Sequence, residues 1–289
     1  MERVLGDVGR VIASRSLEEL AAAAAVLAAE PPEVIAVHGG DGTLHVTLTA
    51  LLHAYGDRPL PPIAILGGGT MNVVTGSLRI RTRPLVFLAR LATALRAGKD
   101  VYTIERRCLR VGDRFGFVFG NGILANFLIE YYKGDTYGPI RAAWLILRLL
   151  ASAIIRGDLM RRVFRRFRGK VVVDHKTLEF PDLMAVGAGF VREVGLGFKL
   201  FDQADDDPNR FAVLAIHSGA LALFPDLWAV RAGRGIAARR AFSGIAERVE
   251  ITGQDPEMAY TIDGDIYRAP GPLPVSAGPR IAIVDPRRL

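Results

Sequence analysis

The chain has 289 residues, half of them apolar, with 37 lysines and arginines against 30 acidic residues and a net charge of +7. That length and apolar share exclude intrinsic disorder and allow two domains, while the positive balance suits a phosphorylated ligand, nucleic acid or an anionic membrane without choosing among them. Cys108 is the single cysteine, which excludes an internal disulfide, fits a reducing compartment and reads as a packed thiol rather than a nucleophile.

Met1 to Arg10 carries charges and glycines and precedes no cleavable apolar segment, so no signal peptide is expected. Only Arg10 to Ala13 offers an early strand, and no glycine-rich loop follows it. The first domain is therefore expected to be small or to have lost a segment ahead of Met1. Ser16 and Glu19 form a capping box before the helix-forming stretch Leu17 to Ala29, which Pro31-Pro32 ends. Val34 to Val37 reads as a buried strand, Thr43 to Ala54 as a helix and Ile63 to Leu66 as a second buried strand. Pro84 to Ala97 reads as a further helix, stopped by Gly98. Helices alternating with short apolar strands predict a mostly parallel sheet covered on both faces.

After Gly98 the pattern becomes strand-like at Val101 to Val111, Arg114 to Phe119, Val163 to Val173, Asp182 to Gly189 and Phe211 to Ile216. Later strands are expected at Val249 to Ile251, Met258 to Ile262 and Ile281 to Val284. Pro139 to Ile155 reads as a very apolar helix, too short to span a bilayer and interrupted by Arg141 and Arg148. Ala220 to Ala238 is expected to hold another helix. The predicted organisation is an α/β domain over residues 1–99, then a β-rich, sandwich-like domain with a helical insertion over 100–289. The last strand is expected to pack back on the first domain.

Two glycine-rich turns follow the first two strands: Gly39-Gly40-Asp41-Gly42-Thr43, and Gly67-Gly68-Gly69-Thr70-Met71-Asn72. Turns of this kind bring bare backbone N–H groups close to a ligand, and helix N-termini behind them favour phosphate. Facing one crevice, the pair would make a nucleotide or polyphosphate site; alone, each is an ordinary strand-to-helix turn. Asp41 at such a turn either holds Mg2+ against phosphates or caps the helix beginning near Thr43. Thr43, Thr70 and Asn72 either hold phosphate or ribose oxygens or cap helices. No P-loop sequence is present, and Gly-x-Gly-x-x-Gly with a ribose-binding acid is absent, which weakens a dinucleotide oxidoreductase reading.

The late segment Tyr260-Thr261-Ile262-Asp263-Gly264-Asp265 ends in two carboxylates around a glycine. Asp-Gly is a common hairpin turn, but phosphoryl transfer also needs a carboxylate to take a hydroxyl proton and acids to hold metal. Asp263 is nominated for the first role and Asp265 for metal or support. Asp205-Asp206-Asp207 is either a cation site or a solvated loop. The five histidines have no zinc-type spacing; His45 is expected near the site and His38 in strand packing. Arg156, Arg161, Arg162, Arg165, Arg166, Arg168 and Lys170, interleaved with Phe164 and Phe167 beside the apolar helix, read as a membrane-surface site, with a charged edge strand as the plainer alternative. Arg231, Arg234, Arg239 and Arg240 are expected on the same face. No nucleic-acid reading element is recognised.

Together these segments resemble the catalytic domain of the diacylglycerol kinase and sphingosine kinase family, from about Val11 to Val284. Val-His-Gly-Gly-Asp-Gly-Thr-Leu at 37–44 is similar to its phosphate-binding motif, Leu-Gly-Gly-Gly-Thr-Met-Asn at 66–72 to its second nucleotide motif, and Ile-Asp-Gly-Asp at 262–265 to its late Asp-Gly-Glu. The first is shared with NAD kinases; the other two favour the lipid kinase branch. The resemblance implies ATP with Mg2+, a crevice between the domains, and transfer of the γ-phosphoryl group to the hydroxyl of diacylglycerol or a related lipid. It implies Gly39, Gly40, Asp41, Gly42 and Thr43 at the phosphates, Gly69, Thr70 and Asn72 at the nucleotide, and Asp263 as base. Metal would fall to Asp41, Asp265 and, for a structural Mg2+, Asp206 or Asp207.

The chain departs from the family's pattern in five places. It has no opening strand ending in Asn-Pro-x-x-Gly. His45 and Val46 stand where Asn and Glu usually follow the first motif, Asp265 replaces the late Glu, and Gly120-Asn121-Gly122 replaces a stretch that often reads Gly-Phe-Asp. The expectation is a cytoplasmic, ATP- and Mg2+-dependent lipid kinase peripherally associated with an anionic membrane through residues 140–170. It has no nucleic-acid partner, and a homodimer is compatible with the sequence. The alternatives are an NAD kinase-like enzyme on a soluble substrate, or a nucleotide- or lipid-binding protein with a degenerate site.

Overall fold

The computed structural model describes residues 1–289 except 70–71, 134–137, 155–156, 181, 196 and 224. A short helix, α1 (Glu2–Leu5), precedes α2 (Leu17–Ala29). Ser16 Oγ accepts the Glu19 N–H while the Glu19 carboxylate takes the Arg15 N–H, so side chains satisfy the start of α2. Residues 10–13 form exposed irregular chain rather than the early strand expected there. No strand pairs with them, and without a ladder or a buried face an extended segment has nothing to hold it.

β1 (Ile35–Gly39) and β2 (Ile63–Gly67) pair in parallel, with Ile35 opposite Ile63 and Gly39 opposite Gly67. This register starts both glycine turns at one level. Between the strands runs α3 (Asp41–Tyr55), and after β2 come α4 (Val73–Ser77) and α5 (Pro84–Arg96). Leu44, Leu48, Leu51, Leu52 and Tyr55 recur at helical spacing and are all buried, so α3 is held by one apolar face.

β3 (Thr103–Val111), β4 (Arg114–Gly116) and β5 (Val118–Asn121) follow. Three helices then intervene: α6 (Ile123–Tyr132), α7 (Pro139–Ile154) and α8 (Asp158–Val163). The rest is mainly strand: β6 (Gly169–Val173), β7 (Lys176–Leu178), β8 (Ala185–Gly189) and β9 (Phe211–Ile216), then α9 (Ala220–Leu223) and α10 (Asp226–Arg231). The chain finishes with β10 (Ala241–Ala246), β11 (Arg248–Gly253), β12 (Met258–Ile262), β13 (Asp265–Ala269) and β14 (Leu273–Val284).

Among the described residues one sheet has the order β1-β2-β14-β11-β6-β7, with β3 beside β14 and β4 beside β3. β14 is its joint. Ile283 lies parallel to Ile63 of β2, while Leu273 to Ser276 run antiparallel to β11. Among the described residues only the β1–β2 and β2–β14 pairings are parallel. The mostly parallel sheet expected from the sequence is therefore mixed, because the third strand of its parallel part comes from the far end of the chain. The second sheet, β10-β9-β8-β5-β12-β13, is antiparallel throughout. Phe119 and Phe211 from it, with Phe190 just after β8, pack with Val171, Ile251 and Val275 from the first, forming a sandwich core. The fold is an α/β domain with a mixed sheet followed by an antiparallel β-sandwich with helical insertions.

Two expected strands break. Arg114 to Phe119 divides at Phe117, where the chain passes between sheets and the Phe117 N–H goes to a carboxylate instead of a ladder partner. Val163 to Val173 becomes strand only from Gly169, because its partner β11 ends at Gly253, opposite Gly169.

Candidate active site

Gly40 is the N-cap of α3 and has no side chain to cap it. The first intrahelical bond, from Leu44 N–H to Gly40 O, leaves the N–H groups of Asp41, Gly42 and Thr43 ahead of the helical ladder. An N-terminus of this kind attracts anions. The two glycine turns touch backbone to backbone: Gly68 N–H donates to Gly39 O at 2.8 Å, and a Cβ added to Gly40 would lie 3.1 Å from Gly69 Cα. Thr43 packs its side chain against Gly39, and His38 packs its ring against Gly68, where any side chain would collide.

The turns are not equivalent. Asp41 does not cap its own helix. Its Oδ2 and Oδ1 accept the Val73 and Val74 N–H groups at 2.9 and 3.1 Å, closing the N-terminus of α4. The second helix start thus already holds an anion from the protein, whereas at the first the Gly42 and Thr43 N–H groups have no partner within the helix. Asn72 adopts the left-handed conformation (φ 46°) and folds back on Gly69, accepting its N–H at 3.0 Å and donating to its O at 2.7 Å. Its side chain shapes the turn. Thr70 lies outside the described residues.

The late segment forms the tip of the β12–β13 hairpin. Ile262 pairs with Asp265, and both intervening residues have positive φ, 47° at Asp263 and 97° at Gly264, as a type I′ turn requires. Asp263 is buried. Its Oδ1 accepts the Val118 N–H at 2.8 Å, its Oδ2 the Phe117 N–H at 2.9 Å, and its own N–H donates to Val118 O. Gly116 leaves room for that carboxylate, since a Cβ there would lie 2.6 Å from Oδ2. The common-hairpin reading of Asp-Gly thus holds, and the turn also buries the Asp263 carboxylate on the Phe117 and Val118 amides.

Asp265 reaches the first turn: a Cβ on Gly42 would come within 2.8 Å of its Oδ1. His45, one turn further along α3, is buried; its Nδ1 meets Phe115 O at 2.6 Å and its Nε2 meets Tyr267 OH at 2.8 Å. A carbonyl only accepts, so Nδ1 carries the proton and Nε2 of the neutral ring accepts from Tyr267.

Burial pushes the Asp263 carboxyl well above the usual range; the Phe117 and Val118 N–H groups oppose this, and the charges of Asp41 and Asp265 add to it. Burial also raises Asp41, against the Val73 and Val74 N–H groups, and raises Asp265, against His45. Three like charges converge where one cation or a proton would relieve them. Burial drives His45 down, while the Phe115 carbonyl and Asp265 pull the other way. Cys108 is buried and its thiol is pushed up to about 12, which leaves it a packing group.

The glycine turns and the three carboxylates border a cavity of about 1030 Å3. At one end stand Gly40, Asp41, Gly42, Thr43, Gly69, Asp263 and Asp265, with Ser14 to Ser16 at the start of α2. Beyond them the walls become apolar: Leu124, Phe127 and Leu128 of α6, Ile146 and Leu149 of α7, Phe198 and Leu200, and Leu223 and Val230 near α9 and α10. A charged, glycine-lined mouth therefore opens into a hydrocarbon-like chamber. Helix α6, Tyr267 and a place for Ser14 to Ser16 on the cavity wall were not expected from the sequence, where Ser16 is legible only as a helix cap. The spacing of Ile123, Phe127, Leu128 and Tyr131 was a usable signal for the helix; nothing in the sequence signals the register that brings Tyr267 to His45.

Asp206 and Asp207 are not brought to this cavity. Asp207 Oδ1 accepts the Asn209 N–H, and Asp205 pairs with Arg106 at 3.0 Å. No group of three or more histidine, cysteine or acidic side chains among the described residues is gathered as a metal cage. The basic run is largely paired: Arg161 with Asp158, Arg162 with Glu130, Arg165 with Asp255, and Arg166 with Asp182 and His217 O; Arg156 lies outside the described residues. Arg240 is not on an open basic face but forms a nearly buried, two-oxygen pair with Asp226 at 2.6 and 2.7 Å. No helix among the described residues is long and apolar enough to cross a membrane.

Residues 8–103 match the sequence model of the diacylglycerol kinase catalytic domain family. No curated protein matches the chain in sequence. Three solved structures from Bacillus anthracis strain Sterne share its fold. One, described as a diacylglycerol kinase, is 13% identical with a TM-score of 0.64, over 97% of this chain and 86% of its own. Two others, assigned provisionally to the same enzyme, are 14% and 15% identical, each with a TM-score of 0.67, over 96% and 97% of this chain and 85% and 87% of theirs.

Proposed function

We propose, from the chain's homology to the diacylglycerol kinase catalytic domains and from the cavity beside Asp263, that it is an ATP- and Mg2+-dependent lipid kinase. The homology supports a kinase-like function. The observation that carries the lipid reading is the join between a phosphate-suited helix start and an apolar chamber with a buried carboxylate between them. A soluble acceptor of the NAD kinase kind would leave that chamber without a use.

The residues present fit Mg-ATP. The α3 N-terminus has N–H groups with no partner in the helical ladder, Gly40 and Gly69 let the two turns close backbone to backbone beside it, and Asp41, Asp263 and Asp265 gather like charges that a cation would offset. Bound there, Mg-ATP would supply the phosphoryl group and neutralise its charge. Gly40, Gly42 and Thr43 would hold phosphate oxygens, and Asp41 and Asp265 the metal, with phosphate and water completing its shell. Asp206 and Asp207 stand apart from this assignment.

Asp263 is fixed by two backbone amides, and burial makes it a better proton acceptor than an exposed aspartate. In this proposal its carboxylate takes the proton of a lipid hydroxyl held at the inner edge of the charged mouth. The chamber orients the hydrocarbon and keeps water away.

The lipid would arrive from a membrane surface. On α7, Ile140, Trp144 and Leu147 share one exposed face, and Ile140 is 88% exposed; Trp228 on α10 is 77% exposed. The opposite sides of these helices line the chamber through Leu149 and Val230. Arg148 beside Trp144 would meet anionic headgroups, a smaller charge contribution than the full basic run implied. The test is transfer from radiolabelled ATP, with and without Mg2+, to vesicles carrying diacylglycerol, a sphingoid base or no acceptor. Mg2+-dependent labelling of a lipid supports the proposal; labelling of NAD alone overturns it, and nucleotide or lipid binding without transfer indicates a binding protein.

A further inference from the structure

Residues 217–240 leave the second sheet after β9 and return to the same point at β10. Ile216 and Ala241 are cross-strand partners, and the His217 and Ser218 N–H groups both donate to Arg240 O, at 3.1 and 3.2 Å. Between these ends lie α9 and α10. Ala220, Leu223, Val230 and the later Ile236 wall the apolar chamber from this side.

Beyond its base the excursion is lightly held. Among the described residues a single backbone-to-backbone hydrogen bond joins it to the rest of the chain, from the Lys199 N–H to Val230 O at 3.3 Å. Glycines stand at both ends: a Cβ on Gly219 would meet nothing within 4 Å, and Gly233 and Gly235 have φ of 75° and 69°. Lightly held segments that can bend at their ends are the material of lids. A side-chain latch holds this one down. Asp226, the first residue of α10, pairs with Arg240 at the base, and both are nearly buried.

The outer surface is apolar and cationic. Leu221 and Trp228 are exposed, and so are Arg231, Arg234 and Arg239. The only acid in the stretch is Asp226, which the latch buries. That combination suits the headgroup region of an anionic bilayer. The basic run near residue 165, by contrast, has most of its described arginines paired with acids.

Building on the lipid kinase reading, we propose that residues 217–240 are a flap over the lipid chamber that opens on an anionic bilayer. In water the Asp226–Arg240 latch closes the chamber on this side. At the membrane Leu221 and Trp228 enter the interface, an anionic headgroup replaces Asp226 at Arg240, and lipid passes from the bilayer into the chamber without crossing water. The flap governs entry of the acceptor and takes no part in phosphoryl transfer.

The test locks the flap in the full chain. A Cβ on Gly233 would lie 4.0 Å from Lys199 Cβ, within the range a disulfide spans. Lys199→Cys with Gly233→Cys is therefore joined by oxidation, or by a short bis-maleimide where the bond does not form; Cys108 is buried and does not compete. The probe is a pyrene-labelled diacylglycerol in phosphatidylcholine vesicles containing about one third phosphatidylglycerol. Its uptake is read as pyrene monomer emission, without ATP. Locking should slow uptake about tenfold or more and leave sedimentation with vesicles unchanged, while reduced or unlinked protein should match wild type. In a second measurement, Trp144→Phe leaves Trp228 as the one tryptophan. Its emission should move to shorter wavelength on the anionic vesicles and not on phosphatidylcholine alone. Equal uptake by locked and unlocked protein, no movement of the Trp228 emission, an equal movement on neutral vesicles, or the same movement on self-association without vesicles would overturn the inference. Neither readout needs phosphoryl transfer, so a protein that admits lipid through the flap and phosphorylates none fails the kinase reading alone.

Discussion

Gly42 and Asp265 touch across the whole length of the chain: a Cβ on Gly42 would come within 2.8 Å of Asp265 Oδ1. The contact places the β12–β13 hairpin tip on the first turn of α3. One helical turn on, His45 binds Tyr267, two residues past Asp265, so the same helix and strand are tied twice. Asp263, at the turn between these strands, inherits its position from both ties and from the Phe117 and Val118 amides.

Removing the second tie should loosen the hairpin. Tyr267→Phe is expected to cost about 1 kcal/mol in urea unfolding, the worth of one hydrogen bond, and to reduce phosphoryl transfer more than nucleotide affinity. Since burial holds His45 below its ordinary 6.5, the unfolded chain takes up the proton first. Its contribution to stability is therefore present above that value and lost as pH falls through the folded one. Wild type should lose stability relative to His45→Asn as pH falls below the ordinary 6.5 toward the lowered folded value. A constant difference would contradict the assignment of a neutral, buried ring.

Asp263 carries the opposite sign. Its carboxyl is held well above 3.8 in the fold, so any stability it contributes is present below that value and lost as pH rises through the raised one. Asp263→Asn should consequently match or exceed wild type in melting temperature near neutrality, with a gap that widens from acidic to neutral pH.

The close approach of the glycine turns predicts a size limit. A Cβ on Gly69 would overlap Gly40 Cα, whereas one on Gly219 meets nothing within 4 Å. Gly69→Ala should destabilise by about 1–3 kcal/mol and weaken Mg-ATP binding at least tenfold, as read by calorimetry. Gly219→Ala should change neither.

Asp226 and Arg240 form a nearly buried pair beside the chamber. Arg240→Met leaves a buried carboxylate alone and is expected to cost about 3–5 kcal/mol. The double variant Asp226→Leu with Arg240→Met should recover most of that loss in denaturant unfolding.

Much of this architecture is legible in local pattern. Ser16 and Glu19 announce the start of α2, and the apolar runs before Gly39 and Gly67 announce β1 and β2. What local pattern does not carry is pairing between distant segments. The parallel expectation failed at β14, whose place beside β2 depends on Ile283 meeting Ile63. Asp41 was readable as a cap but not as the cap of a different helix, since Val73 and Val74 reach it only through the β1–β2 register. The arginines near residue 165 looked like one basic face because their partners, Glu130, Asp182 and Asp255, come from three other segments.

The most direct measurement is the rate of Mg2+-dependent γ-phosphoryl transfer from ATP to vesicle-borne lipid by wild type and by Asp263→Asn, with Mg-ATP affinity determined on both. The account predicts a phosphorylated lipid with wild type and a loss of about 100- to 10,000-fold with Asp263→Asn, while Mg-ATP affinity stays within about threefold. Undiminished transfer by Asp263→Asn, or transfer by wild type to a soluble acceptor and to no lipid, would contradict it.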